Sequence, residues 1–192
     1  MRTIRLTCHN KKTDALLTHL TGKVFHLTTF SAFTAIRKSR MILHNKDCRF
    51  KLNTTSDTSF GRLSGYVCLF DLRNHSAKVS EHIIHNYNYL DPTWFEKARN
   101  GWMVPRLAYL VLDPAHYENL IQNSAQNDYY KTTGKFLHFI PHGEVWIDNH
   151  VPLDWIDTVI LADMRRPLVK DSLEWIFCEI EKNRRKPKKL SV

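Results

Sequence analysis

The sequence predicts one α+β domain built on a mixed, mainly antiparallel sheet, and three observations carry this reading. Apolar segments of strand length, such as residues 66–72 and 105–112, are interleaved with segments of helical spacing. They do not follow the regular strand–helix–strand alternation that builds a doubly wound sheet. Neither a Gly-x-Gly-x-x-Gly turn nor a P-loop pattern occurs, so the common nucleotide-binding α/β folds lose support. At 192 residues, 43% hydrophobic and 24% charged, the chain has one-domain size and can bury a core without disulfide staples.

The elements follow in order. Ala15, Leu16, Leu17 and Leu20 predict a helix over 13–20, ended by Gly22. Residues 23–27, with Val24 and Phe25, read as a strand. Helical spacing returns over 29–40, where Phe30, Phe33, Ala35 and Ile36 share one side. The polar stretch 45–61 reads as a loop, and Gly65 breaks into a strand over 66–72. Ser80 is expected to cap a helix running to Leu90, with Asp91-Pro92 ending it and opening another over 92–98. A strand over 105–112 is followed by a helix over 114–121, started by Asp113 as cap and Pro114 at its first position. Residues 123–134, polar and rich in tyrosine, read as an exposed loop. Short strands are expected at 135–140, 145–147 and 158–162, and an amphipathic helix at 172–181.

Composition narrows the function classes. The first residues, MRTIRLTCHNKK, lack the apolar core and cleavage site of a signal peptide. The longest apolar runs, 107–112 and 159–162, are too short to cross a bilayer. Cys8, Cys48, Cys68 and Cys178 are scattered in a chain that has no need of disulfides, which suits a reducing compartment. A cytoplasmic location without a membrane partner is therefore expected. Six Lys/Arg and no acid lie between Lys182 and Val192, two thirds of the net +9. Such a tail either neutralises the phosphates of a nucleic acid or is a solvated terminus that aids solubility. The expected organisation is one domain over 1–181 and a basic tail over 182–192.

Three segments can carry chemistry. In Phe25-His26-Leu27-Thr28, His26 and Thr28 lie two apart on a strand and so point to one face. An imidazole beside a hydroxyl can hold a ribose diol or a carboxamide, although a His at a strand end is commonly a satisfied core or surface residue. In Ser59-Phe60-Gly61-Arg62, Arg62 precedes an aromatic strand, where its planar fork can clamp a diphosphate, and Tyr66 and Phe70 can offer a ring for stacking. The same residues also suit a solvated loop charge and core aromatics. In Pro141-His142-Gly143-Glu144, a carboxylate opens an apolar strand; it either faces a cleft or guards a sheet edge. His82 and His85 have helical metal-ligand spacing beside Glu81 but no second ligand pair, so no metal is expected.

The order of these segments resembles the ADP-ribosyltransferase superfamily, and most of all its DarT-type, nucleic-acid-modifying toxins. His-x-Thr comes first, then an Arg before an aromatic strand, then a late Glu followed by Pro152-Leu153-x-x-Ile156. The resemblance runs from about Val24 to Leu161. It implies a split sheet with peripheral helices, and NAD⁺ as co-substrate. It also implies His26 and Thr28 at the nicotinamide end, Arg62 on the phosphates or in the reaction, and Glu144 as the catalytic carboxylate. His142 stands two before Glu144, where many protein-modifying members carry Glu or Gln; this counts against a protein-arginine acceptor. It leaves nucleic acid, small molecules or other protein side chains open, of which the basic charge and the aromatic residues favour nucleic acid. A toxin or defence effector, opposed by an antidote protein of unknown kind, is the implied setting. NAD⁺ glycohydrolysis and RNA 2′-phosphate removal remain alternatives on the same scaffold. So does a basic nucleic-acid-binding module without enzymatic activity.

Overall fold

A computed structural model of the chain describes residues 1–7, 13–50, 58–87, 90, 96–98, 101–103 and 106–163. Its centre is a six-stranded sheet. In spatial order it runs β1 (Arg2–Thr7), β10 (Ile156–Asp163), β7 (Arg106–Leu112), β2 (Val24–Thr29), β4 (Tyr66–Asp71) and β8 (Glu144–Asp148). β1 pairs with β10 in parallel; every other neighbour in this sheet is antiparallel. Two small ladders join β3 (Met41–Leu43) to β9 (His150–Pro152) and β5 (Glu96–Ala98) to β6 (Gly101–Met103). The helices are α1 (Thr13–Leu20), α2 (Phe30–Ser39), α3 (Phe60–Ser64), α4 (Ala77–Asn86) and α5 (Ser124–Thr133). The architecture is thus α+β and mainly antiparallel, as the sequence predicts.

Both faces of the sheet are covered, which explains why β7 reads as an unbroken apolar run rather than an alternation. Leu107, Tyr109 and Val111 pack on one face with Phe25, Phe70, Leu72 and Ile160. Ala108, Leu110 and Leu112 pack on the other with Val24, Val67, Leu69 and Val145. A third, smaller cluster gathers Phe60, Leu137 and Trp146, with Tyr129 and Phe139 against it.

Several expected elements differ. The cap of α4 is Ser76, whose side chain accepts from Val79 N at 3.3 Å; Ser80 is fully buried inside the helix, which ends at Asn86. Residues 96–98, expected to close a helix, form a hairpin strand; 91–95 lie outside the described residues. Residues 123–134 are not a loop but contain α5, stopped by Gly134 at φ 67°. Its few apolar positions still suffice, because Ala125 and Tyr129 pack on the Phe60–Trp146 cluster. Residues 135–140 form no strand beyond an isolated bridge from His138 to Ser59. Asp113 does cap the turn after β7, accepting from Ala115 N at 2.9 Å, but the helix it starts is 3₁₀ over Pro114–Asn119. β1 was not expected, since its Arg and Thr residues leave only Leu6 buried. The expected helix at 172–181 and the basic tail lie outside the described residues. Among the described residues no helix is long and apolar enough to cross a membrane.

Candidate functional site

The site lies where β2 and β4 part. β2 stays paired with β7 from Phe25↔Val111 to Thr29↔Leu107, yet with β4 it pairs only at Val24↔Asp71 and Phe25↔Phe70. Beyond Phe25 the two strands diverge, and an imidazole fills the place of a ladder bond. His26 Nδ1–H donates to Cys68 O at 2.8 Å. Burial pushes the His26 pKa down, the bond to Cys68 only partly offsetting it, so the ring is neutral and Nε2 is left as an acceptor.

The divergence opens a cleft of about 360 Å³, within the usual range for small-molecule sites. β2 supplies His26 and Thr28, α2 supplies Ala32, Ala35 and Ile36, and α3 with β4 supplies Arg62, Tyr66 and Cys68. Among the described residues the lining has a guanidinium and no Asp or Glu. Thr29 closes β2 and caps α2, its Oγ1 accepting from Ala32 N at 3.3 Å. The strand therefore turns into a helix at the cleft wall.

Arg62 is 8% exposed, and its Nη1 donates to Cys48 Sγ at 2.8 Å. It is brought there by the single short turn of α3, ended by Gly65 at φ 85°. α3 can lie this close to the sheet because residue 61 is glycine. A Cβ there would meet Cys68 Sγ at 2.4 Å and the Trp146 indole at 2.6 Å. Tyr66 is half-buried at the cleft wall, its ring edge-on to Phe60 with centroids 6.0 Å apart. Four residues expected to bind or react, His26, Thr28, Arg62 and Tyr66, thus meet at one cleft.

Phe70 and Glu144 do not line it, and the register gives the reason. Phe25 pairs with Phe70, and Phe70 with Glu144, so both lie at the end where β2 and β4 are still joined, short of the point where the two strands part and the cleft opens. Phe70, expected as a stacking ring, is instead core, 7% exposed with its centroid 5.5 Å from that of Phe25.

Glu144, expected to face the cleft, is 6% exposed behind it. Its Oε2 accepts from Ile140 N at 3.0 Å and its Oε1 from Trp146 Nε1 at 2.8 Å. The Cys68 thiol donates to the same carboxylate. Burial raises the Glu144 pKa, and these donors only partly offset it. The Cys68 thiol is pushed well up by burial first and by the neighbouring Glu144 second. Glu144 therefore reaches the cleft through Cys68, a residue the sequence reading did not single out. Nothing in the spacing of Cys68 marks it; only the pairing of β4 with β8 brings it between the carboxylate and the cleft.

No protein-family model, curated protein or solved structure matches the chain.

Proposed function

We propose that the cleft binds NAD⁺ and that the protein transfers ADP-ribose from it to a macromolecular acceptor, with nucleic acid favoured. The observation that carries this reading is the convergence of His26 and Thr28 from one segment with Arg62 and Tyr66 from another on one cleft. Their order along the chain is the one that resembles the ADP-ribosyltransferase superfamily. In this reading the neutral Nε2 of His26 and the Thr28 hydroxyl hold the ribose or carboxamide, and Arg62 takes the diphosphate. The bond from ribose C1′ to the nicotinamide nitrogen breaks with its electron pair leaving on nicotinamide. An acceptor lone pair then bonds to C1′, and the acceptor loses its proton to solvent or a base.

The cleft's described lining has no carboxylate to face the positive charge that develops on the sugar. Glu144 lies buried behind Cys68 and meets the cleft only through that thiol, and so acts at one remove. The test is incubation with NAD⁺ and, separately, DNA, RNA and protein, followed by chromatography of nicotinamide and mass spectrometry of the acceptor. Acceptor-dependent nicotinamide release with a gain of ADP-ribose on the acceptor is expected. Free ADP-ribose formed without any acceptor would make the protein a glycohydrolase, and no release under any condition would overturn the reading.

A further inference from the structure

Part of the cleft lining is built by residues that neither the resemblance nor the sequence reading brought forward. After β3 the chain turns through 45–50, and Asn45 closes that turn with its side chain. Asn45 Nδ2 donates to Phe50 O at 2.9 Å, and Asn45 Oδ1 accepts from Phe50 N at 2.9 Å. One side-chain amide thus satisfies both backbone groups of Phe50, as a neighbouring strand would. Cys48 N donates to Asn45 O at 3.2 Å inside the same turn, and Cys48 takes a positive φ of 54° at its tip.

The turn is tied to the fold on two sides. His44 N donates to Asn149 O at 3.2 Å, and the Cys48 sulfur accepts from Arg62 Nη1 at 2.8 Å. The Lys46 stem lies over Gly65, where an added Cβ would come within 3.3 Å of it. What this bracing presents is the Phe50 ring, which lines the cleft and is 48% exposed. A large apolar ring left half in water, on a backbone fixed by two hydrogen bonds, is organised before any ligand arrives. The cleft thus has a guanidinium and an open aromatic ring joined by one short turn.

We propose that Phe50 is the platform on which the cleft takes a planar heteroaromatic ring of a nucleotide. The nucleotide's phosphate lies toward Arg62, and Asn45 is the residue that positions the platform. This rests on reading the cleft as a nucleotide site, and it puts the stacking role on Phe50 in place of the buried Phe70. Loss of base–aromatic stacking gives an expected fall of roughly ten-fold in affinity when the ring is removed, about 1.4 kcal/mol.

The experiment titrates NAD⁺, AMP and inorganic pyrophosphate by calorimetry into the wild type, Phe50→Ala, Phe50→Trp and Asn45→Ala. Phe50→Ala and Asn45→Ala are expected to weaken AMP and NAD⁺ about ten-fold, Phe50→Trp to restore them, and pyrophosphate to bind Phe50→Ala as it binds the wild type. Melting curves of Phe50→Ala should match the wild type, because the ring is half exposed. If NAD⁺ binds the wild type and Phe50→Ala equally, the platform is refuted while the NAD⁺ reading stands. If AMP binds with this Phe50 dependence and NAD⁺ does not bind, the platform stands and the NAD⁺ reading fails. If neither nucleotide binds the wild type, both fall.

Discussion

Replacing Gly61 by alanine is the sharpest test of how α3 is seated, and through α3 of how Arg62 reaches the cleft. The new methyl would lie 2.4 Å from Cys68 Sγ and 2.6 Å from two atoms of the Trp146 indole, about 1 Å short of ordinary contact. Neither neighbour can yield easily. Trp146 is fully buried and its Nε1 is tied to Glu144, while the Cys68 thiol sits on the same carboxylate. Overpacking of this kind costs about 1–3 kcal/mol, and two rigid neighbours place it near the upper end. Alanine's better helix propensity returns about 1 kcal/mol. The net loss of about 2 kcal/mol corresponds to a fall in Tm of roughly 4–8 °C for a domain of this size. Circular dichroism melts of the wild type and Gly61→Ala measure it. A variant melting at or above the wild type would show that α3 does not pack on Cys68 and Trp146 as described.

Three further outcomes follow from the site. Glu144→Ala strips the acceptor from Ile140 N and Trp146 Nε1 and should cost about 2–5 kcal/mol, seen as an early denaturant midpoint; an unshifted midpoint would contradict the buried bonding. The raised pKa of Glu144 means that the native state holds its proton more tightly than the unfolded chain does. Its contribution is therefore complete below about pH 4.5 and is lost as pH rises through the native value; Glu144→Gln should remove that falling limb from Tm against pH, and an unchanged slope would count against it. His26 has the opposite sign: its lowered pKa gives a contribution present above about pH 6.5 and lost as pH falls through the native value. NMR titration of the His26 ring should find a midpoint below 6.5, and one at or above 6.5 would refute its burial as a neutral donor to Cys68.

The fold was legible wherever local chemistry and tertiary packing agree. α1 is predicted to the residue, because Leu16 and Leu20 are wholly buried and Gly22 takes φ 75° just past its end. β7 and β10 are clear because strands covered on both faces read as apolar runs. α5 was not legible, since its stability comes from Tyr129 meeting Phe60 edge-on at 5.7 Å rather than from an amphipathic pattern. β1, with its exposed Arg2 and Arg5, owes its place to parallel pairing with β10, from Arg2↔Thr158 to Thr7↔Asp163. At the site, period-two reasoning correctly put His26 and Thr28 together. It could not tell that Glu144 lies at the closed end, where β2 and β4 are still joined, because that depends on the register Phe25↔Phe70↔Glu144 across three strands. Asn45, Cys48 and Phe50 carry no periodic signal; their roles exist only through the turn that joins them.

If NAD⁺ is held where β2 parts from β4, amide chemical-shift mapping during titration with NAD⁺ will locate it there. Saturable shifts are expected to concentrate on residues 26–29, 41–45 and 62–68, and to be abolished or weakened at least ten-fold in Arg62→Ala. The absence of any saturable shift, or shifts gathered away from these segments and indifferent to Arg62→Ala, would contradict it.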